Sequence, residues 1–80
     1  MNKTIHTPAH KVLVEKLVEA RQAAGITQQE LADKLGVVQS FVAKCEGGER
    51  RIDLIEFLTL AKALRADPEL ILRAVRKAHN

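Results

Sequence analysis

Four side chains, three of them polar, lie close together on one side of a predicted helix. Read at helical spacing, "LGVVQSFVAKCEGG" places an apolar stripe on the other side, formed by Val38, Phe41, Val42 and Cys45. The polar side presents an amide, a hydroxyl, a methyl and an ammonium group, from Gln39, Ser40, Ala43 and Lys44. These four residues include no carboxylate, whereas most exposed helix faces mix Glu with Lys. This face is suited to short, directional hydrogen bonds with a polar partner.

The elements that must position this face are predicted to be five helices and no strand. Thr7 before Pro8 starts the first helix, which is expected from about Ala9 to Ala24 and should stop at Gly25. The stretches "TQQE" and "DLIE" are capping boxes that start the second and fourth helices. The later helices are expected at about residues 28–35, 38–46, 54–65 and 68–78, within a single domain spanning residues 1–80, after a loose N-terminal arm at residues 1–6.

The second and third helices have the layout of a helix-turn-helix, and the motif spans residues 28–47. Each is about two turns long, and a short turn containing Gly36 joins them. A glycine is needed there because the chain leaves the second helix in a left-handed conformation. Val37 is expected to pack inward and fix the angle between the two helices.

A helix with this polar face suits the major groove of B-DNA. The groove admits one helix and displays donors, acceptors and thymine methyl groups. Gln39 can bond adenine through both ends of its amide, Ser40 can bond a purine or a phosphate, and Lys44 can bond guanine. Ala43 can contact a thymine methyl group. The pattern therefore favours double-stranded DNA as the partner.

Composition permits an anionic partner without requiring one. The chain has 13 Lys and Arg against 10 Asp and Glu, giving a net charge of +3 and a pI near 9.4. The single cysteine excludes an intrachain disulfide, which suits a reducing cytoplasm. A DNA-binding protein there is expected to associate with the nucleoid. No apolar run approaches the roughly 20 residues of a membrane span. No catalytic set has interpretable spacing and no glycine-rich phosphate loop occurs, so neither an enzyme nor a cofactor is expected.

The stretch "TQQELADKLGVVQSFVAKCEGGER" resembles the phage-repressor (Cro/XRE-type) helix-turn-helix family. The family pattern is Thr-Gln-x-x-Leu-Ala-x-x-x-Gly-Val, followed by a polar residue and Gln-x-x-Ile/Val-x-x-x-Glu-x-Gly. The matching residues are Thr27, Gln28, Leu31, Ala32, Gly36, Val37, Gln39, Val42, Glu46 and Gly48. The resemblance covers about residues 13–72. It implies an all-α, five-helix DNA-binding domain that regulates transcription, of the repressor type.

The resemblance also implies roles for individual residues. Gln28 would bind a phosphate at the start of the second helix, and Arg51 with Arg50 would touch the DNA backbone from the following loop. Gln39, Ser40 and Lys44 fall where the family reads bases. Arg21 and Glu46 match an ion pair that ties the first helix to the end of the third. Two residues depart from the pattern: Val38 replaces the usual Ser or Thr cap, and Glu49 adds a carboxylate to the loop.

Simpler interpretations stay open for several of these residues. The polar face and the loop arginines could be ordinary solvated surface. His6 and His10 are four residues apart, but they straddle a predicted helix start, so a metal site is not expected. Cys45 is expected to be a small core residue and not a redox sensor.

Three further possibilities concern protein partners. The first and fifth helices carry surplus apolar residues, which suggests a homodimer or an ordinary apolar surface fraction. These residues are Val12, Val14, Val18, Leu70, Ile71, Leu72, Ala74, Val75 and Ala78. The chain could also be the antitoxin of a toxin–antitoxin pair. A protein-interaction module of the same fold, with little DNA affinity, is the third possibility, favoured by Val38 and Glu49.

Overall fold

The computed structural model describes residues 6–79 and contains five helices within them. They are α1 (Pro8–Ala23), α2 (Gln28–Leu35), α3 (Gln39–Glu46), α4 (Leu54–Ala63) and α5 (Pro68–Ala78). No strand occurs in this part of the chain. The predicted all-α architecture is confirmed, although most of the expected N-terminal arm falls on residues 1–5, outside the described residues. None of the five helices is long and apolar enough to cross a bilayer.

Four of the five helices begin with a side-chain cap, as the sequence predicts. The Thr7 hydroxyl accepts a hydrogen bond from the His10 amide at 3.2 Å. At α2 the Glu30 amide donates to the Thr27 hydroxyl at 3.0 Å, and the Thr27 amide donates back to the Glu30 carboxylate at 2.9 Å. Asp53 forms the matching box at the start of α4. Each cap satisfies backbone amides that have no partner inside the helix.

Four helix boundaries differ from the predictions by one or two residues. Helix α1 begins at Pro8 and ends at Ala23, each one residue earlier than expected. Helix α3 begins at Gln39, with Val38 as its N-cap and no side-chain capping bond. Helix α4 ends at Ala63, because the chain turns away through Leu64 and Arg65, and Arg65 has a left-handed φ of 55°.

The core lies where all five helices meet. It contains Leu17, Leu31, Ala32, Val42, Phe57, Leu60, Leu64 and Ile71. Helix α5 lies along α1, and α2 packs against both α3 and α4. Because these contacts bury Val42 to 1% exposure and Cys45 to 4%, α3 is anchored to the domain by one side only.

Two predictions about buried valines are wrong or incomplete. Val38 is 70% exposed and is not part of the buried stripe of α3. Its extended backbone, with φ −76° and ψ 152°, precedes the helix, so the helical spacing that placed it on the stripe does not apply. Val37 is 36% exposed and packs only partly inward.

The surplus apolar residues of α1 and α5 are largely used in packing these helices together. Val14 and Ile71 are buried, at 9% and 6% exposure. Val12, Val18, Ala74, Val75 and Ala78 are half-buried. Leu70 and Leu72 remain 59% and 43% exposed, so the apolar surface left for a dimer is smaller than the sequence suggests.

Candidate nucleic-acid interface

The polar face of α3 is open to solvent. Gln39, Ser40 and Lys44 are exposed, and Ala43 between them is half-buried. The opposite side of the same helix is held by buried residues, so the four side chains project from a fixed platform. The structure therefore brings together the base-reading set that the sequence predicts.

A side-chain hydrogen bond fixes the direction of Gln39. Its Nε2 donates to Oε1 of Gln28 at 2.6 Å, joining the start of α3 to the start of α2. Gln28 in turn donates from its Nε2 to Oε1 of Glu46 at 2.9 Å. Gln28 thus orients its neighbour, a contact that the sequence prediction of a phosphate ligand did not include.

The far end of this chain of bonds is the Arg21–Glu46 ion pair. Arg21 donates from Nε to Oε2 of Glu46 at 2.6 Å and from a terminal nitrogen to Oε1 at 3.1 Å. Its other terminal nitrogen bonds the Ile26 carbonyl at 2.7 Å. The two side chains are only 14% and 11% exposed, and hydrogen bonding to Glu46 raises the pKa of Arg21. We call the four residues Arg21, Glu46, Gln28 and Gln39 the relay.

The two loop arginines have different surroundings. Arg50 forms a two-bond ion pair with Glu56, at 2.8 and 2.7 Å, and its guanidinium lies 4.6 Å from the centre of the Phe41 ring. Hydrogen bonding within this pair raises the pKa of Arg50 and lowers that of Glu56. Arg51 is exposed and has no ion pair among residues 6–79. Arg51 is therefore available to an external anion, whereas Arg50 is engaged within the fold.

Two titratable residues outside this surface, Cys45 and His10, are buried. Cys45 is 4% exposed, and burial raises the pKa of its thiol. His10 is 9% exposed, and its Nε2 has no hydrogen-bond partner. Burial, and then the neighbouring charge of His6, lower the pKa of His10. Within residues 6–79 no three His, Cys, Asp or Glu side chains are grouped as metal ligands would be.

Comparisons with known proteins agree with this geometry. A family model described as helix-turn-helix matches residues 17–71. The solved structure of an XRE-family like protein from Pseudomonas syringae pv. tomato str. DC3000 has a TM-score of 0.84 to this chain and is 46% identical in sequence. The match covers 98% of this chain and 95% of that one. No curated protein is significantly similar.

Proposed function

Because the chain belongs to the XRE-type helix-turn-helix family, we propose that it is a sequence-specific DNA-binding regulator of transcription, of the repressor type. In this proposal α3 enters the major groove, and the domain acts by binding alone, without catalysis or a cofactor. The role requires the protein to act in the compartment that holds the DNA, and we propose that this is the cytoplasm.

The observation that carries the proposal is the orientation of Gln39. One hydrogen of its Nε2 is directed to Gln28 at 2.6 Å. The second hydrogen and Oε1 remain for an external partner. Adenine offers a matching pair in the major groove, an acceptor at N7 and a donor at N6. A glutamine held in this way is ready for the bidentate contact that distinguishes adenine from the other bases.

Contacts to the DNA backbone would set the position of α3 in the groove. Gln28 is the first residue of α2, where unpaired backbone amides and the helix dipole favour a phosphate. Arg51 supplies a positive charge from the loop before α4. We assign Arg50 a supporting role, because its pairing with Glu56 shapes this loop. Ser40, Lys44 and the methyl group of Ala43 complete the proposed base-reading surface.

A homodimer bound to paired half-sites of DNA fits recognition of the major groove by α3. We propose that the two subunits contact each other through α5. Leu72 is 43% exposed beside Glu69, Arg73 and Arg76, which line one shallow depression with it. Because this patch contains charges of both signs, it can pair with its own copy across a two-fold axis. Substituting Leu72 with Glu should shift the protein to monomer in sedimentation equilibrium, whereas Leu70→Glu, on the opposite flank of α5, serves as the matched control.

Selection of bound sequences from random duplexes tests the proposal directly. We expect a palindromic pair of half-sites with adenine at one position in each. On the selected duplex Gln39→Ala should lower affinity by about 1–3 kcal/mol and flatten the preference at that position. On random duplexes the same substitution should change affinity little. Gln22→Ala, an exposed glutamine on α1, is the control.

Arg51→Ala should behave differently, because a phosphate is present in every sequence. Affinity for selected and random duplexes should fall together, and the slope of log affinity against log salt should become shallower by about one unit. If Gln39→Ala weakens both duplexes equally, α3 does not read bases and the proposed mechanism is wrong. If no duplex binds even at low salt, the protein-interaction module is the better interpretation.

A further inference from the structure

An apolar groove of about 240 Å³ lies beside the helix-turn-helix, between the α2–α3 turn and α4. It is lined by Leu35, Val37, Phe41, Ile55, Glu56, Thr59 and Leu60. Ile55 on its rim is 70% exposed, and Val37 is 36% exposed. Leaving a β-branched side chain such as Ile55 largely in water forgoes the stabilisation that its burial would give. The groove therefore has a floor and a rim suited to apolar side chains of a partner.

One end of this groove is strongly basic. A neighbouring depression shares Leu35 and Thr59 with it and adds Lys34, Lys62 and Arg65 to the lining. Lys34 and Lys62 come from the last turns of α2 and α4, Arg65 comes from the turn after α4, and all three are exposed. None of them has an ion pair within residues 6–79. The one carboxylate on the groove, Glu56, is already bound on both oxygens by Arg50. The surface thus combines apolar contact area with unneutralised positive charge.

The backbone at Arg65 gives independent support for a role of this cation. Four described residues have a positive φ, and three of them are Gly25, Gly36 and Gly48. The fourth is Arg65, at 55°. A side chain with a Cβ is disfavoured in this left-handed region, and glycine is the residue that adopts it without strain. The fold therefore holds an arginine beside the groove in a backbone conformation that favours glycine.

We propose that this groove docks an acidic amphipathic segment of a partner protein. Apolar side chains of the segment would contact Ile55, Val37 and Phe41, and its carboxylates would face Lys34, Lys62 and Arg65. An amphipathic helix laid in a groove is a recurrent mode of peptide recognition, and opposite charges give it orientation. This surface is separate from the proposed DNA-reading face, so one domain could hold DNA and a partner together.

Charge complementarity favours an acidic segment in this groove over a second copy of the chain or DNA. A second copy joined by a two-fold axis through this face would bring cations against cations, unlike the α5 patch, which contains both signs. DNA would satisfy the cations, but its phosphates cannot use the apolar groove beside them. A segment with carboxylates next to apolar side chains satisfies both parts.

Selection from a phage-displayed library of random peptides on the full-length protein tests the proposal. We expect enriched peptides to carry apolar residues at helical spacing together with several Asp or Glu. The strongest peptide is then synthesised, with a second version in which each acid becomes its amide. By fluorescence anisotropy the acidic peptide should bind at least tenfold more tightly than the amide version. Lys62→Glu and Ile55→Asp should each weaken binding at least tenfold, while Lys77→Glu, a charge reversal on α5, should change it less than twofold.

Circular dichroism confirms that each variant is folded, and duplex binding by Lys62→Glu should match that of the unchanged protein. Several results would overturn the proposal. One is failure to enrich any peptide, or enrichment without an acidic bias. A second is lower affinity of Lys62→Glu for random duplex with a shallower salt dependence, which would assign these cations to phosphates. A third is loss of a dimer in Ile55→Asp, which would place a second copy in the groove.

Discussion

Replacing Arg21 with alanine should destabilise the domain and also reduce its DNA selectivity. The substitution removes three hydrogen bonds, two to the Glu46 carboxylate and one to the Ile26 carbonyl. It leaves Glu46 with a side chain only 11% exposed and with Gln28 as its remaining side-chain partner. An almost buried carboxylate without its cation is poorly solvated, and without the bonds from Arg21 it holds Gln28 less firmly in place for Gln39.

The size of this effect follows from the burial of the pair. Removing one partner of a fully buried ion pair costs about 3–5 kcal/mol. Because water still reaches 14% of Arg21 and 11% of Glu46, we expect about 2–3 kcal/mol. Such a loss is a large part of the stability of a domain this small, which is on the order of 4–12 kcal/mol. Urea unfolding measures it, followed by circular dichroism because the sequence contains no Trp or Tyr.

A double-mutant cycle separates the pair from general disruption. Arg21→Ala combined with Glu46→Ala should cost at least about 1 kcal/mol less than the sum of the single substitutions. Lys16→Ala is the matched control, since the Lys16–Glu19 pair is 3.5 Å long with side chains 42% and 63% exposed. It should cost less than about 0.5 kcal/mol. Strict additivity in the cycle, or an Arg21→Ala cost no larger than the control, would refute the reasoning.

Three further substitutions test local features of the fold. Val38→Ser should raise the free energy of unfolding by up to about 1 kcal/mol, because Val38 is an N-cap with no capping bond and is 70% exposed; a loss above about 1 kcal/mol in urea would contradict this. His10→Leu should flatten the fall in stability as pH drops below 6.5: burial keeps the folded-state pKa of His10 below that value, so the unfolded chain binds the proton first. Unchanged pH dependence of the melting temperature would be the contrary result. Arg65→Gly should stabilise the domain by up to about 1 kcal/mol and weaken binding of the acidic peptide. A less stable variant would show that the left-handed backbone of Arg65 carries no strain.

The helix starts could be predicted because their causes are local. Thr27 and Glu30 are three residues apart, and their two hydrogen bonds form within a single turn. The same is true of Asp53 at the start of α4. The prediction that Val38 belongs to the buried stripe is wrong because it extends helical spacing one residue before α3 begins. Periodicity cannot locate that boundary when the capping residue is itself apolar.

The interactions among distant side chains could not be derived from local pattern. Gln28 and Glu46 are 18 residues apart, and their contact exists only once α2 and α3 have packed together. Arg21 and Glu46 were paired by resemblance to a family, and no spacing rule would have joined them. Glu56 was predicted as a capping residue, but its second role as the partner of Arg50 depends on the path of the loop. The groove beside α4 likewise arises from separate helices.

The relay has a consequence for transplanting this recognition surface into another scaffold. A graft limited to residues 39–44 would carry the side chains that we propose face DNA, but not the hydrogen bonds that orient Gln39. Gln39 would then rotate freely, and part of the binding free energy would be lost in ordering it. A faithful transplant also requires Gln28, Glu46 and Arg21, although Arg21 lies on α1, outside the helix-turn-helix itself. Transferring the proposed recognition surface to another scaffold therefore requires α1, α2 and α3, and not α3 alone.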